Sequence, residues 1–136
     1  MSDEAWFAGL FEGEGTITIT RSGRRGYTRP LVQLMMTDFD VVEMFAARWP
    51  GGVLWTMQPK GNARLALGWR LQSRPGIRHF LADLGPEFRT ERVRIKAALL
   101  LEDIDARVQG IKDPAYLVAC NERREKMRAL NKRGAA

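Results

Sequence analysis

Residues Trp6 to Thr16 read WFAGLFEGEGT, and the reading of this stretch decides the fold of the 136-residue chain. Asp3 can cap a helix that starts at Glu4, and within it Ala5, Gly9 and Gly13 recur every four residues. That spacing stacks three small residues on one face and leaves the backbone there bare. Glycine inside a helix costs roughly 1 kcal/mol relative to alanine, so two on one stripe imply a compensating contact. Close approach of a second helix is the simplest one. The helix runs out at Gly13-Glu14-Gly15, and the alternating Thr16-Ile-Thr-Ile-Thr20 begins a strand at once. Glu14 is therefore a carboxylate at the negative end of a helix, where an acid is disfavoured. Two such helices side by side would gather two carboxylates and two carbonyl-rich ends. That cluster is tolerable only with protons or cations, and its oxygen donors suit Mg²⁺ or Ca²⁺.

Phe7 to Gly15, FAGLFEGEG, closely resembles the signature of the LAGLIDADG homing endonucleases, with aromatic-for-aliphatic and Glu-for-Asp changes. The order of helix, acid and strand agrees with it. The bland alternative is a buried amphipathic helix with an incidental Glu-Gly-Glu-Gly turn. A phosphate-cradling loop is weaker, because Gly13-x-Gly15 follows a helix and neither a third Gly nor Lys-Ser/Thr follows.

The length fits a single domain over residues 1–136, with 114–136 as a C-terminal helical extension. A formal charge of +6 and a pI near 10.1 favour a polyanionic partner, nucleic acid first. Cys120 is the only cysteine, which excludes an intrachain disulfide and a cysteine-based zinc site. The longest apolar run, residues 97–101, is too short to span a membrane, and the acidic start is unlike a secretion signal. The expected location is the cytoplasm, or an organellar matrix or nucleoid, and not the exterior.

Along the chain, Ile17 and Ile19 alternate with Thr16, Thr18 and Thr20, and Ser22 to Gly26 reads as a hairpin connection. The return strand, Tyr27 to Met36, sets Val32, Leu34 and Met36 against Arg29, Gln33 and Met35, with an irregular or edge position at Pro30. Asp38 is a good N-cap for a helix over Phe39 to Trp49, whose apolar face holds Val42, Phe45, Ala46 and Trp49. A second hairpin covers Val53 to Gln58 and Arg64 to Gln72, turning at Pro59 to Asn62. Leu65, Leu67, Trp69 and Leu71 should face inward, and Arg64, Ala66, Gly68, Arg70 and Gln72 outward. Ser73 opens a third helix, Thr90 caps a fourth through about Val108, and Asp113-Pro114 opens the last through about Asn131. The fold class is α+β, ordered α-β-β-α-β-β-α-α with a further C-terminal helix. A four-stranded antiparallel sheet carries helices on one face. Asp3 to Met36 and Asp38 to Gln72 form an approximate α-β-β repeat, the second copy lacking the signature.

The wet face of the two hairpins should present Thr18, Thr20, Arg24, Arg25, Arg29, Gln33, Thr56, Gln58, Lys60, Arg64, Arg70 and Gln72. Arginine forks onto guanine, glutamine onto adenine, and antiparallel ribbons fit a major groove. Any half-exposed sheet has a wet side. However, no Asp or Glu lies between Thr16 and Thr37 or between Trp49 and Ala82, and a random wet face would mix signs.

The resemblance implies more. One signature per chain implies a homodimer on double-stranded DNA with a long pseudo-palindromic site, and a curved sheet in the major groove. Ala5, Gly9 and Gly13 would lie in the dimer seam. The Glu14 carboxylate and Gly13 carbonyl would ligate Mg²⁺, with Ca²⁺ bound but not supporting cleavage. The reaction would be a staggered double-strand break across the minor groove, serving intron or intein mobility. Family members often keep a polar residue that positions a water where Asp38 stands; an ordinary N-cap is an equal reading. They also place a basic residue near the scissile phosphate. Lys96 and Arg92 are the candidates among Arg89, Arg92, Arg94 and Lys96, against plain solvated charges. Glu12 is about 200° around the helix from Glu14 and suits a surface or capping role. His79 reads as structural or exposed, Cys120 as packing, and the mixed run Arg123 to Arg128 as a solvated helical face. The rival function is a DNA- or RNA-binding protein on the same fold that no longer cuts, such as an intron maturase or regulator. A small basic scaffold dimerising through the glycine stripe is more remote.

Overall fold

The chain passes from helix to strand without a linker because Gly15 lets it. A Cβ at Gly15 would lie 2.3 Å from ring carbons of Phe11, so the first strand residue can be nothing larger. The computed structural model describes residues 3–22, 27–58, 60, 61, 64–106 and 114–132. Their elements are α1 (Asp3–Glu14), β1 (Gly15–Ser22), β2 (Tyr27–Met36), α2 (Phe39–Arg48), β3 (Val53–Met57), β4 (Ala66–Leu71), α3 (Arg74–Leu84), α4 (Glu91–Ala106) and α5 (Pro114–Asn131). A single 3₁₀ turn, Gly85–Glu87, links α3 to the segment before α4.

The four strands form one open antiparallel sheet in the order β1-β2-β4-β3. Each α-β-β unit thus puts its second strand at the centre and its first at an edge, giving the sequence repeat a spatial meaning. Ile17, Ile19, Val32, Leu34, Leu67, Trp69 and Leu71 are buried on the helix-covered face. From α1, Phe7, Ala8 and Phe11 enter the same core. Phe7 meets Phe45 edge-on at 4.9 Å and Phe11 meets Phe80 at 5.0 Å between ring centres. Each such pair contributes about 0.5–1.5 kcal/mol beyond its buried area. The aromatics of the signature are therefore matched by an aromatic core rather than an aliphatic one.

The expected element order holds, and Ser73 caps α3 by accepting from the Gly76 amide at 3.2 Å. Three readings need correction. Asp38 precedes α2 as expected, yet its side chain makes no capping hydrogen bond; only its carbonyl accepts, from Val41 and Val42. On β4, Leu65 lies outside the strand and is exposed, whereas Ala66 and Gly68 are buried. Gly68 is covered by Trp55 on β3, whose ring lies where a Gly68 side chain would be, 2.4 Å from an added Cβ. Finally, the run from Arg123 is not wholly a solvated face. Arg123 is buried, and its Nε donates to Asp103 Oδ1 at 2.7 Å, while the Thr28 hydroxyl donates to the same carboxylate at 3.0 Å. Burial pushes the Arg123 pKa down, but the hydrogen bond and charge of Asp103 outweigh it and hold the value raised. Cys120 is buried beside this pair, as packing requires. Asp113 and the expected end of α4 near Val108 lie outside the described residues.

Removing one member of a buried pair strands the other charge. Asp103→Ala should lower the free energy of unfolding by about 3–5 kcal/mol, read from urea denaturation, with little change for Arg124→Ala next to the pair.

Candidate nucleic-acid interface and metal centre

The last turn of helix α1 carries two acids with opposite surroundings. The Glu12 carboxylate accepts three hydrogen bonds, from the Arg89 amide (2.9 Å), the Thr90 amide (2.9 Å) and the Thr90 hydroxyl (2.7 Å). It therefore caps the start of α4 from another helix, the capping role expected of it. Partial burial pushes its pKa up; these hydrogen bonds and the nearby Arg94 charge pull harder and leave it lowered. Glu14, the last residue of α1, is exposed and makes no hydrogen bond or ion pair among the described residues. Strand β1 starts one residue later, so the Gly13 carbonyl sits in the last turn, where intrahelical donors run out.

The glycine stripe is open. Gly9 and Gly13 are exposed, and a Cβ added to either would meet nothing within 4 Å. No described residue explains their smallness. The stripe faces a shallow depression lined by Ala5, Trp6, Gly9, Leu10, Glu12, Glu87 and Arg89. Trp6, a large apolar residue, remains 37% exposed on its rim.

Beyond the end of α1 a second concavity is lined by Gly13, Gly15, Thr16, Thr18, Arg92, Lys96 and Asn131, among others. Both expected basic residues are here. Lys96 Nζ donates to Asn131 Oδ1 at 3.1 Å, and burial, then the Arg92 charge, pushes its pKa down. Arg92 is more committed than expected. Its guanidinium donates to the carbonyls of Leu130 and Lys132 (3.0 Å for the latter), closing the C-terminal end of α5. Asn131 was not legible as a site residue. Its amide also donates to the Ile17 carbonyl at 2.9 Å, and only the docking of α5 on β1, 114 residues away, brings it here. Asp38 does not line this concavity; it is exposed at the end of β2.

No group of three or more His, Cys, Asp or Glu side chains able to hold a metal occurs among the described residues. One chain offers Glu14 and the Gly13 carbonyl, both hard oxygen donors. Such donors fit Mg²⁺, which commonly takes one or two carboxylates and completes its shell with water and substrate phosphate.

On the sheet, Thr16, Gln33, Arg70 and Val53 form one row across all four strands, and Thr20 faces Arg29. Thr18, Thr20, Arg29, Gln33 and Arg70 therefore share the uncovered face. Thr56 does not: it pairs with Leu67 and belongs to the opposite face, exposed only because β3 is an edge strand. Gln58, Lys60, Arg64 and Gln72 lie outside the strands, the first three exposed. Arg24 and Arg25 lie outside the described residues. The face is also less polar than expected, since Val53, Trp55 and Met57 occupy its β3 side. Arg70 rests over the Trp55 ring at 5.3 Å, a cation–π contact that steadies the guanidinium.

No protein-family model and no curated protein matches the sequence. Among solved structures, the homing endonuclease I-CvuI superposes with a TM-score of 0.78 at 18% identity, over 98% of this chain and 85% of that one. This is the LAGLIDADG homing endonuclease fold. The archaeal intron-encoded homing endonuclease I-Vdi141I, solved with DNA, gives 0.76 at 14% identity over 96% of this chain and 85% of that one. The LAGLIDADG homing endonuclease I-SmaMI, solved with cleaved DNA, gives 0.71 at 12% identity; the whole of this chain covers 46% of it. I-CvuI was solved on DNA with Mg, where the DNA was not cleaved, and with Ca. No helix of the described residues is long and apolar enough to cross a membrane.

Within this LAGLIDADG fold, Glu12 makes a pH-dependent contribution of known sign. Its lowered pKa gives stability that is present above the ordinary glutamate value and lost as pH falls through the folded-state value. Glu12→Gln should destabilise by about 1–2 kcal/mol at neutral pH, a cap-sized effect discounted for partial exposure. The stabilities of the two proteins should converge as pH falls below the ordinary glutamate value and through the lowered one.

Proposed function

We propose that the chain is one half of a homodimeric, site-specific double-strand DNA endonuclease of the homing type that uses a divalent metal, Mg²⁺ for cleavage. The observation that carries this reading is the end of α1: Gly9 and Gly13, which no described residue covers, leading to a Glu14 carboxylate that has no partner among the described residues. Two copies packed through Ala5, Gly9 and Gly13 would bring two Glu14 side chains to one axis. That the whole chain covers a little under half of I-SmaMI is what a unit used in pairs would give.

Each residue then has a task. Glu14 and the Gly13 carbonyl hold the metal, which when bound supplies Lewis-acid activation and charge neutralisation at the phosphate. Lys96 and Arg92 face the concavity beside Gly13 and stabilise charge developing on the scissile group. Arg92 does so as a fixed positive charge, since its donors are held by α5. Asp38, free of any cap, is available to position a water. Thr18, Thr20, Arg29, Gln33 and Arg70 meet base edges or phosphates from the open sheet face, which lies in the major groove of a long pseudo-palindromic duplex. Lys60, Arg64 and Gln72 extend it from the loops. A free Glu14 favours cutting over mere binding, because a non-cleaving protein gains nothing from an uncompensated acid facing DNA.

The test is cleavage of a plasmid library with Mg²⁺, with Ca²⁺ and without metal. Cutting should require Mg²⁺, and Glu14→Gln should lower it on the order of 10²-fold or more while duplex binding persists. Binding without cutting in any metal would leave a non-cleaving DNA- or RNA-binding protein instead. Gly9→Leu separates pairing from folding. The protomer should become slightly more stable, because leucine is the better helix former by up to about 1 kcal/mol. Sedimentation should nevertheless show monomers where the parent gives dimers.

A further inference from the structure

Helix α5 carries a basic stripe that the DNA-facing sheet does not include. Arg124, Arg128 and Lys132 recur every four residues and therefore share a face. They line a groove between α5 and the edge strand β1, with Thr18 and Asn131 on its walls. The groove is continuous with the concavity at the end of α1, because Thr18 and Asn131 line both. Its far end therefore lies beside Arg124, and its near end beside Lys96 and Gly13.

The charge balance along this track is positive. Glu125 is the only acid in the α5 part, and Arg124 already pairs with it at 3.3 Å. Glu12, in the other part, is occupied by its three donors on the α4 start. Arg128 and Lys132 are exposed, and their side chains make no hydrogen bond or ion pair among the described residues. Arg123, adjacent in sequence, is turned inward to Asp103, so the outward cations are set apart by position and not by composition. The buried pair and the Arg92 clamp hold α5 in place, so the stripe is a fixed feature of the surface.

We propose that this groove is a phosphate-backbone track: Arg124, Arg128 and Lys132 hold the strand of duplex DNA that runs along the β1 edge away from the Glu14 end of α1. The proposal rests on the DNA reading above and extends it beyond the sheet face. The track carries no base readout. It adds affinity and fixes the register of the duplex, as contacts to phosphate do. Continuity with Thr18, which stands on the open sheet face, favours DNA over an acidic protein as the occupant.

The experiment is a salt titration of full-length protein on a random-sequence duplex, read by fluorescence anisotropy. Each lost phosphate contact should lower the slope of log K against log salt by about 0.9, so Arg124→Gln/Arg128→Gln/Lys132→Gln should lower it by up to about 3 per protomer. At physiological salt its binding should weaken at least about 10-fold. Arg74→Gln/Arg78→Gln on α3 removes charge away from the groove and should leave the slope unchanged. Circular dichroism checks that the triple variant is folded, which the surface position of all three residues favours. A wild-type slope in the triple variant, or an equal loss in the α3 control, would overturn the track alone. Failure of the wild-type protein to bind duplex at low salt would overturn the DNA reading and the track together.

Discussion

Three hydrogen bonds to Glu12 decide where everything else in the site can be. They tie the last turn of α1 to the start of α4, across 77 residues of sequence, and so fix Glu14 relative to Arg92 and Lys96. The two acids of one short motif thereby divide the work. The first is saturated by amides and a hydroxyl, which holds the frame. The second has no partner among the described residues, at a helix end that repels it. Such an acid adds nothing to stability, and the proposed metal site is the use we assign to it.

The C-terminal helix is the second constraint. It is held in its middle by Arg123 on Asp103 and at its end by Arg92 on the last carbonyls. Between those anchors it delivers Asn131 to Lys96 and to the exposed edge of β1. What looks in sequence like an appended helix is thus a wall of the concavity beside α1. Lys96 is partly buried where it donates to Asn131, and burial, then the Arg92 charge, pushes its pKa down.

Much of the fold was legible because local rules agree with tertiary ones here. The switch from helical to alternating periodicity at Gly15 and the Ser73 cap both act through neighbours in sequence. Glu14, Gly13, Arg92 and Lys96 come from the motif and its resemblance; of these, Gly13, Arg92 and Lys96 line one concavity, and Glu14 follows Gly13 at the end of α1. What failed depended on partners far along the chain. Thr56 was set on the wrong face because its direction follows from its pairing with Leu67, which the turn between β3 and β4 does not reveal. Arg123 was read as solvated because its partner, Asp103, lies on another helix. Asn131 and Trp55 had no sequence signal at all; each gains its role from a strand or helix that topology alone brings beside it.

The proposed metal site exists only if two protomers meet through α1. Its most direct test is a crystal structure of the protein on duplex DNA with Ca²⁺. The account predicts two α1 helices in contact at Gly9 and Gly13, with both Glu14 carboxylates on calcium at the shared axis. A single protomer on the duplex, with its glycine stripe uncovered and Glu14 facing solvent, would contradict it.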